Sequence, residues 1–110
     1  TRAYRFTPEA LDAVLYGDCP PGTATYAAPR LGWQAAAPQA ETTDPPPATH
    51  PRHYVTCTQD RVIPPAQQDA MAATLPGAAR HRFDTGHSPF FAAPERLAEL
   101  LDRIAASLDG

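Results

Sequence analysis

Prolines limit where this chain can form regular structure. The 110 residues include 14 prolines, well above the usual level of roughly 5%. Each proline ring fixes the backbone dihedral φ and removes a hydrogen-bond donor, so proline-dense stretches resist helix and strand formation. Residues 38–51 hold five prolines, and residues 39–51 are predicted to form an extended linker. The main ordered unit is therefore expected after this linker.

Strand and helix patterns alternate after the linker. His53–Cys57 is rich in β-branched and aromatic residues and predicts a strand. A helix is expected over residues 64–75, between two prolines that open it and a Pro-Gly pair that ends it. A second strand follows at Ala79–Phe83, and a last helix is expected over 94–108. Strands that alternate with helices predict an α/β fold, in which helices cover a parallel sheet.

The last helix carries an apolar stripe that needs a partner. Its apolar residues recur with helical spacing and share one face; they are Leu97, Leu100, Leu101, Ile104 and Leu108. A stripe of this width needs a sheet to lie on, and two strands alone do not make a stable sheet. The chain is therefore expected to be one part of a larger domain.

Two short helices are predicted before the linker. Thr7 suits the N-cap and Pro8 the first position of a helix over residues 7–16. A second helix is expected over 24–28, where Pro29 ends or kinks it.

Composition excludes several functions. The net charge is −3, and all nine basic residues are arginines without a cluster, so nucleic-acid binding is not expected. No apolar run approaches the roughly 20 residues of a membrane span, and no signal segment opens the chain, so no membrane contact is expected. Cys19 and Cys57 are predicted to be free thiols in a cytoplasmic protein. No cofactor is predicted.

Two residues with catalytic chemistry follow the two predicted strands. Asp60 lies in the loop after the first strand and His87 in the loop after the second. The carboxyl ends of parallel strands meet at one edge of a sheet, and 27 residues separate the pair, about one β-α-β unit. An aspartate that orients a histidine is two thirds of a catalytic triad. The alternative is that Asp60 is a turn or N-cap residue and His87 an ordinary loop residue.

Residues 53–108 resemble the C-terminal segment of α/β-hydrolases. The resemblance lies in residues 53–64, in the stretch Gly-His-Ser-Pro-Phe-Phe at 86–91, and in the helix from Pro94. It is nearest to the small esterases close to plant methylesterases and hydroxynitrile lyases. It implies that Asp60 is the triad acid and His87 the base, and that Val62 and Ser88 contact substrate.

The N-terminal residues resemble the lid of the same branch. Residues 15–20, Leu-Tyr-Gly-Asp-Cys-Pro, resemble the end of the lid inserted over the active site, and residues 28–31 resemble its return toward the core. The resemblance implies a lid end at 1–38, the linker at 39–51, and a strand-helix-strand-helix part of the hydrolase core at 52–110. The alternative is a pair of ordinary surface helices.

One element of the family is missing from the sequence. The nucleophile elbow, Gly-x-Ser-x-Gly, does not occur. Ser88 does not replace it, because this serine adjoins the base and lacks the elbow glycines. The chain is therefore expected to be the C-terminal part of a serine hydrolase, inactive alone. The complete protein is expected to cleave small carboxylic esters by acyl transfer, with the nucleophile on the N-terminal part of the same hydrolase.

Three other functions remain open. Hydroxynitrile lyases carry a lysine directly after the histidine, but here Ser88 stands there and the chain has no lysine. A non-catalytic binding module with the same fold is also compatible with the sequence. Thr1 has the residue type of an N-terminal nucleophile.

A metal site is not predicted. The candidate ligands show no closed zinc-type spacing; they are His50, His53, Cys57, Asp60, His81 and His87.

Overall fold

A computed structural model describes residues 2–44 and 49–108 of the protein. These residues contain the following strands: β1 (Ala3–Tyr4), β2 (Gln34–Ala35), β3 (His53–Cys57) and β4 (Ala79–Phe83). Their helices are α1 (Pro8–Ala10), α2 (Thr23–Ala27), α3 (Ala37–Ala40), α4 (Pro65–Ala73), α5 (Pro89–Ala92) and α6 (Pro94–Ser107). Thr1 and residues 45–48 of the predicted linker lie outside the described residues.

The predicted β-α-β unit is present. Strands β3 and β4 pair in parallel, in the register His53↔Ala79 to Cys57↔Phe83, and α4 connects them. Both strands have the predicted bounds. Helix α4 ends at Ala73, two residues before the predicted end, and the chain turns at Gly77, whose φ of +73° lies in the left-handed region. The predicted α/β fold is confirmed here.

A buried glutamine ties α4 to the end of β3. Gln68 is 3% exposed, and its Oε1 accepts the Cys57 N–H at 2.9 Å. Its Nε2 donates to the Cys57 carbonyl at 2.9 Å and to the Ile63 carbonyl at 2.8 Å. One side chain thus satisfies three backbone groups on both sides of the loop that carries Asp60. Nothing in the sequence pattern singled this residue out.

The last helix is half covered. Helix α6 ends one residue before the predicted end. Leu100 in its stripe is 3% exposed, whereas Leu101 and Leu108 are 56% and 59% exposed. Within the described residues, the sheet beside this helix has two strands. It is too narrow to cover the whole stripe, as the sequence predicts.

The N-terminal segment differs from the predicted helix over 7–16. Thr7 caps α1, since its hydroxyl accepts the Ala10 N–H at 3.2 Å. The chain then widens into a π-helical turn at Leu11–Leu15, and the Tyr16 N–H donates to the Leu11 carbonyl at 2.9 Å. Such an i→i+5 bond inserts one extra residue in the turn, which periodicity alone does not reveal. Helix α2 begins at Thr23, and a 3₁₀ turn at Ala28–Arg30 follows it.

The N-terminal segment has a small core of its own. Leu11, Tyr16 and Ala27 are buried together. Phe91 of α5 packs against them, with its ring edge-on to Tyr16 at a centroid distance of 5.7 Å. This core therefore joins the N-terminal segment to the helix that follows His87.

Four small elements were not predicted. β1 and β2 pair antiparallel through Ala3↔Ala35 and Tyr4↔Gln34, and α5 follows the His87 loop. Helix α3 crosses the predicted boundary between residues 38 and 39. Its first turn contains Pro38, where a missing N–H costs no helical bond.

Within the described residues, no helix is both long and apolar enough to cross a membrane.

We expect Gln68→Ala to lower the free energy of unfolding by about 2–4 kcal/mol, since each buried backbone group left without a partner costs about 1–3 kcal/mol. Urea unfolding followed by circular dichroism measures this. Gln67→Ala is the matched control, because Gln67 is the exposed neighbour on the same helix. Equal losses in both variants would show that the three bonds contribute nothing.

Candidate active site

The loops after β3 and β4 are bonded to each other. The Thr58 N–H donates to the Phe83 carbonyl and the Gln59 N–H to the Thr85 carbonyl, both at 2.9 Å. The Asp84 carboxylate accepts hydrogen bonds from the Thr58 hydroxyl at 2.9 Å and from the side-chain amide of Gln59 at 3.1 Å. These bonds extend the ladder past the strand ends and hold the two loops side by side. The fold thus brings the residues that follow them together.

Asp60 and His87 form a hydrogen bond, as their loop positions predict. His87 Nδ1 lies 2.9 Å from Asp60 Oδ2. An ionised carboxylate only accepts hydrogen bonds, so Nδ1 carries a proton; in a neutral imidazole Nε2 then has the lone pair. The Asp60 side chain is 5% exposed and that of His87 is 32% exposed. The geometry gives a buried acid and a base whose second nitrogen remains available.

The second carboxylate oxygen fixes Asp60 in its loop. Oδ1 accepts the N–H groups of Val62 at 2.7 Å and Ile63 at 3.0 Å. Asp60 is therefore also a turn residue, but it is not the N-cap of α4, which is Pro64. Burial alone raises the pKa of Asp60, but the hydrogen bonds from Ile63, His87 and Val62 outweigh it. The pKa of Asp60 lies below its ordinary value, and the residue is ionised at neutral pH.

This lowered pKa predicts when Asp60 contributes to stability. A carboxyl with a folded-state pKa below its unfolded value of about 3.9 stabilises the fold at pH values above that, and loses the contribution as pH falls through the folded pKa. We expect the difference in urea midpoint between the unchanged protein and Asp60→Asn to be present at about pH 5 and to shrink as the pH falls below about 4. The comparison stays at or below about pH 5 because histidine side chains change charge between about pH 5 and 8 and His87 contacts position 60. A difference that has already disappeared at about pH 4.5 would mean that the pKa is raised.

The two predicted substrate contacts lie in different surroundings. Ser88 is 1% exposed, and its hydroxyl donates to the Leu15 carbonyl at 2.9 Å. This side chain packs against the N-terminal segment, and its expected role as a substrate contact stays a prediction. Val62 is half-buried and bonds Asp60 through its backbone, so its role as a substrate contact stays a prediction.

Of the cavities that border the N-terminal segment among the described residues, two bear on the site. The larger, about 490 Å³, is lined by Tyr4, Phe6, Leu11 and Trp33 among others, and neither Asp60 nor His87 lines it. The smaller, about 190 Å³, lies beside the two loops. Its lining is mostly polar or glycine: Gly17, Asp18, Gln59, Arg61 and Gly86, with Ala13 and Val14. Asp60 and His87 do not line this cavity either, although their neighbours Gln59, Arg61 and Gly86 do.

A carboxylate of the N-terminal segment reaches the His87 loop. Asp18 Oδ2 accepts the Gly86 N–H at 2.7 Å, directly before His87. In the sequence, Asp18 is one residue of the lid-like run 15–20 and has no predicted role. The bond spans 68 residues, so no local pattern could have revealed it.

The metal alternative depends on the histidines of the sheet. His53 and His81 meet across the strands, with Nδ1 and Nε2 2.9 Å apart, but among the residues that the structure describes no third ligand joins them. Within the described residues, no group of three or more His, Cys, Asp or Glu side chains could hold a metal ion. Both cysteines are free thiols, as predicted. Thr1, the alternative N-terminal nucleophile, lies outside the described residues.

Comparisons with known proteins agree with this architecture. The sequence profile of the alpha/beta hydrolase family matches residues 1–100. The chain therefore belongs to the alpha/beta hydrolase family.

Relatives near plant methylesterases are among the matches. Methylesterase 17 of Arabidopsis thaliana is 41% identical over 58 residues, which are 53% of this chain and 21% of that protein. The chain thus spans about a fifth of that relative.

Solved structures show the same fold. A methylesterase, MES16, from Arabidopsis superposes with a TM-score of 0.81 at 24% identity, over 94% of this chain and 46% of that one. The pyrethroid hydrolase PytH gives a TM-score of 0.75 at 28% identity, over 92% of this chain and 41% of that one. Polyneuridine aldehyde esterase gives 0.79 at 14% identity, over 94% and 47%. The chain spans less than half the length of each of these structures.

Proposed function

We propose that this chain supplies the acid and the base of a carboxylic ester hydrolase. The observation that carries the proposal is the 2.9 Å bond from His87 Nδ1 to the buried Asp60 carboxylate. The bond fixes the imidazole tautomer in which Nε2 can accept a proton. A carboxylate that orients a histidine in this way is the acid–base half of a serine hydrolase triad.

The proposed mechanism is acyl transfer. His87 Nε2 takes the proton of a serine hydroxyl as the serine oxygen attacks the ester carbonyl. Asp60 stabilises the imidazolium that forms and keeps its orientation. His87 then gives the proton to the departing alcohol, and water hydrolyses the acyl-enzyme through the same base. No cofactor is needed for any of these steps.

The nucleophile of the proposal comes from the N-terminal part of the same hydrolase. The chain has two serines, and both hydroxyls donate to nearby carbonyls: Ser88 to Leu15 and Ser107 to Ile104. Burial raises the pKa of the Cys57 and Cys19 thiols, which disfavours a cysteine thiolate as the nucleophile. Neither thiol nor hydroxyl therefore takes the role in the proposal.

Two surfaces support docking of that N-terminal part. Strand β3 has one strand neighbour among the described residues, β4, so its other edge is open to a further parallel strand. On α6, the exposed side chains of Leu101 and Leu108 extend the buried contact of Leu100. A wider sheet would cover both surfaces, which is the arrangement that the apolar stripe requires.

The proposed substrates are small carboxylic esters. One relative is a methylesterase and a similar structure is that of a pyrethroid hydrolase; the first name denotes ester cleavage and the second hydrolysis. The residue after His87 is Ser88 and the chain has no lysine. This favours ester hydrolysis over the cleavage of cyanohydrins by a lyase.

In the complete protein, we expect Asp60→Asn to lower kcat by about 10³- to 10⁴-fold with little change in KM. His87→Ala should cost at least as much, and the double variant little more than either, because the two residues act as one unit. Hydrolysis of a panel of aryl and methyl esters measures these losses. Asp69→Asn, on the exposed side of α4, is the control. Near-normal turnover of Asp60→Asn would remove Asp60 from the triad. A folded protein that cleaves no ester would favour the binding module.

A second experiment tests the docking surface. We expect Leu101→Asp to weaken the complete protein's fold and lower its unfolding midpoint, because a charge would be buried in the stripe. Ala106→Asp, on the opposite face of α6, places the same charge in solvent and should change little. Thermal unfolding followed by circular dichroism compares them, and equal midpoints would show that the stripe stays exposed.

A further inference from the structure

Asp18, which lies after the π-helical turn, contacts Gly86, the residue directly before the proposed base His87. Asp18 is exposed, yet its Oδ2 accepts the Gly86 N–H at 2.7 Å. A hydrogen bond to an ionised carboxylate is shorter and stronger than one between neutral groups. The contact therefore holds one backbone atom of the His87 loop without touching the imidazole ring.

The residue after the base is held by the same segment. The Ser88 hydroxyl donates to the Leu15 carbonyl at 2.9 Å, and the Cys19 thiol lies 3.9 Å from the Ser88 carbonyl. The segment 15–19 thus bonds the backbone neighbours of His87 on both sides. The imidazole remains free to bond Asp60.

The Asp18 carboxylate lies close to the Cα of Gly86. Gly86 does not have a positive φ, unlike Gly22 and Gly77, so its conformation suits any residue. A Cβ at position 86, however, would lie 2.8 Å from Asp18 Oδ1, closer than real Cβ atoms approach other atoms. A side chain at this position would therefore push the exposed Asp18 carboxylate away and break its bond to the residue 86 N–H.

We propose that Asp18 is a positioning residue for His87. By holding the Gly86 amide, it sets where the imidazole lies between Asp60 and the nucleophile. A displacement of about 1 Å at such a site can cost about 10²-fold in rate. The inference rests on the proposed function for its effect on rate, but the Asp18–Gly86 bond can be tested without it.

The first test compares three variants of the complete protein in ester hydrolysis. Asp18→Ala removes the acceptor and should lower kcat by about 10- to 100-fold with KM within about threefold. Asp18→Asn keeps an oxygen acceptor of the same shape and should restore kcat to within about threefold of the unchanged protein. Asp12→Ala removes an exposed carboxylate from the same segment and should change nothing. An Asp18→Ala enzyme with normal kcat, or an Asn variant as impaired as the Ala variant, overturns the proposal.

The second test uses the close contact at Gly86. Gly86→Ala should lower kcat in the unchanged background, where the new methyl group meets the Asp18 carboxylate. In the Asp18→Ala background that obstacle is gone, so the same change should cost little further. Equal losses in both backgrounds would mean that the two positions are not coupled, and the proposal fails.

The third test does not depend on catalysis. Hydrogen exchange of the Gly86 amide, followed by NMR on the complete protein, should become at least tenfold faster in Asp18→Ala. It should stay slow in Asp12→Ala. Unchanged exchange overturns the inference even in an active esterase. Faster exchange in a protein that cleaves no ester would keep the Asp18–Gly86 contact and reject only the proposed function.

Discussion

The bond between Asp60 and His87 sets the requirements for the rest of the site. A buried carboxylate is costly unless its oxygens are paired, and here each oxygen has a separate task. Oδ1 accepts hydrogen bonds from two backbone N–H groups of its own loop, and Oδ2 accepts one from Nδ1 of the His87 imidazole. Because the backbone holds the carboxylate in one orientation, the histidine has a single position in which to bond it. The hydrogen bonds that orient the Asp60 carboxylate therefore also lower its pKa.

Several contacts, some buried and some exposed, keep the two loops in place for that bond. Gln68 holds the start and end of the Asp60 loop, and Asp84 links the two loops through Thr58 and Gln59. None of these residues touches a reacting atom in the proposed mechanism. A catalytic acid–base pair depends on such supporting contacts, because they hold the two side chains in the geometry that the reaction needs.

The sequence predicts the parts of the fold that are encoded locally. The run at His53–Cys57, which is rich in β-branched and aromatic residues, and the short run at Ala79–Phe83 before a turn both form strands with the predicted bounds. Their order in a β-α-β unit brings Asp60 and His87 together. Contacts between distant segments left no such pattern. The two-residue strands β1 and β2 exist only through their pairing, and in the sequence Gln68 is simply a polar residue of a helix. Its role depends on how α4 lies against β3, which periodicity does not specify.

The same distinction applies around the base. Ser88 follows His87 in sequence, and its hydroxyl donates to the Leu15 carbonyl, a contact that no local pattern specifies. Asp18 stands 68 residues before Gly86 and is its hydrogen-bond partner. Together with the contact between Tyr16 and Phe91, these bonds all connect the segment before the linker to residues 86–91. Covering a substrate does not require hydrogen bonds to the backbone of Gly86 and Ser88, the residues on both sides of the histidine. Changes in this segment should therefore act on the base as well as on the space beside it, and the two effects separate as losses in kcat and in KM.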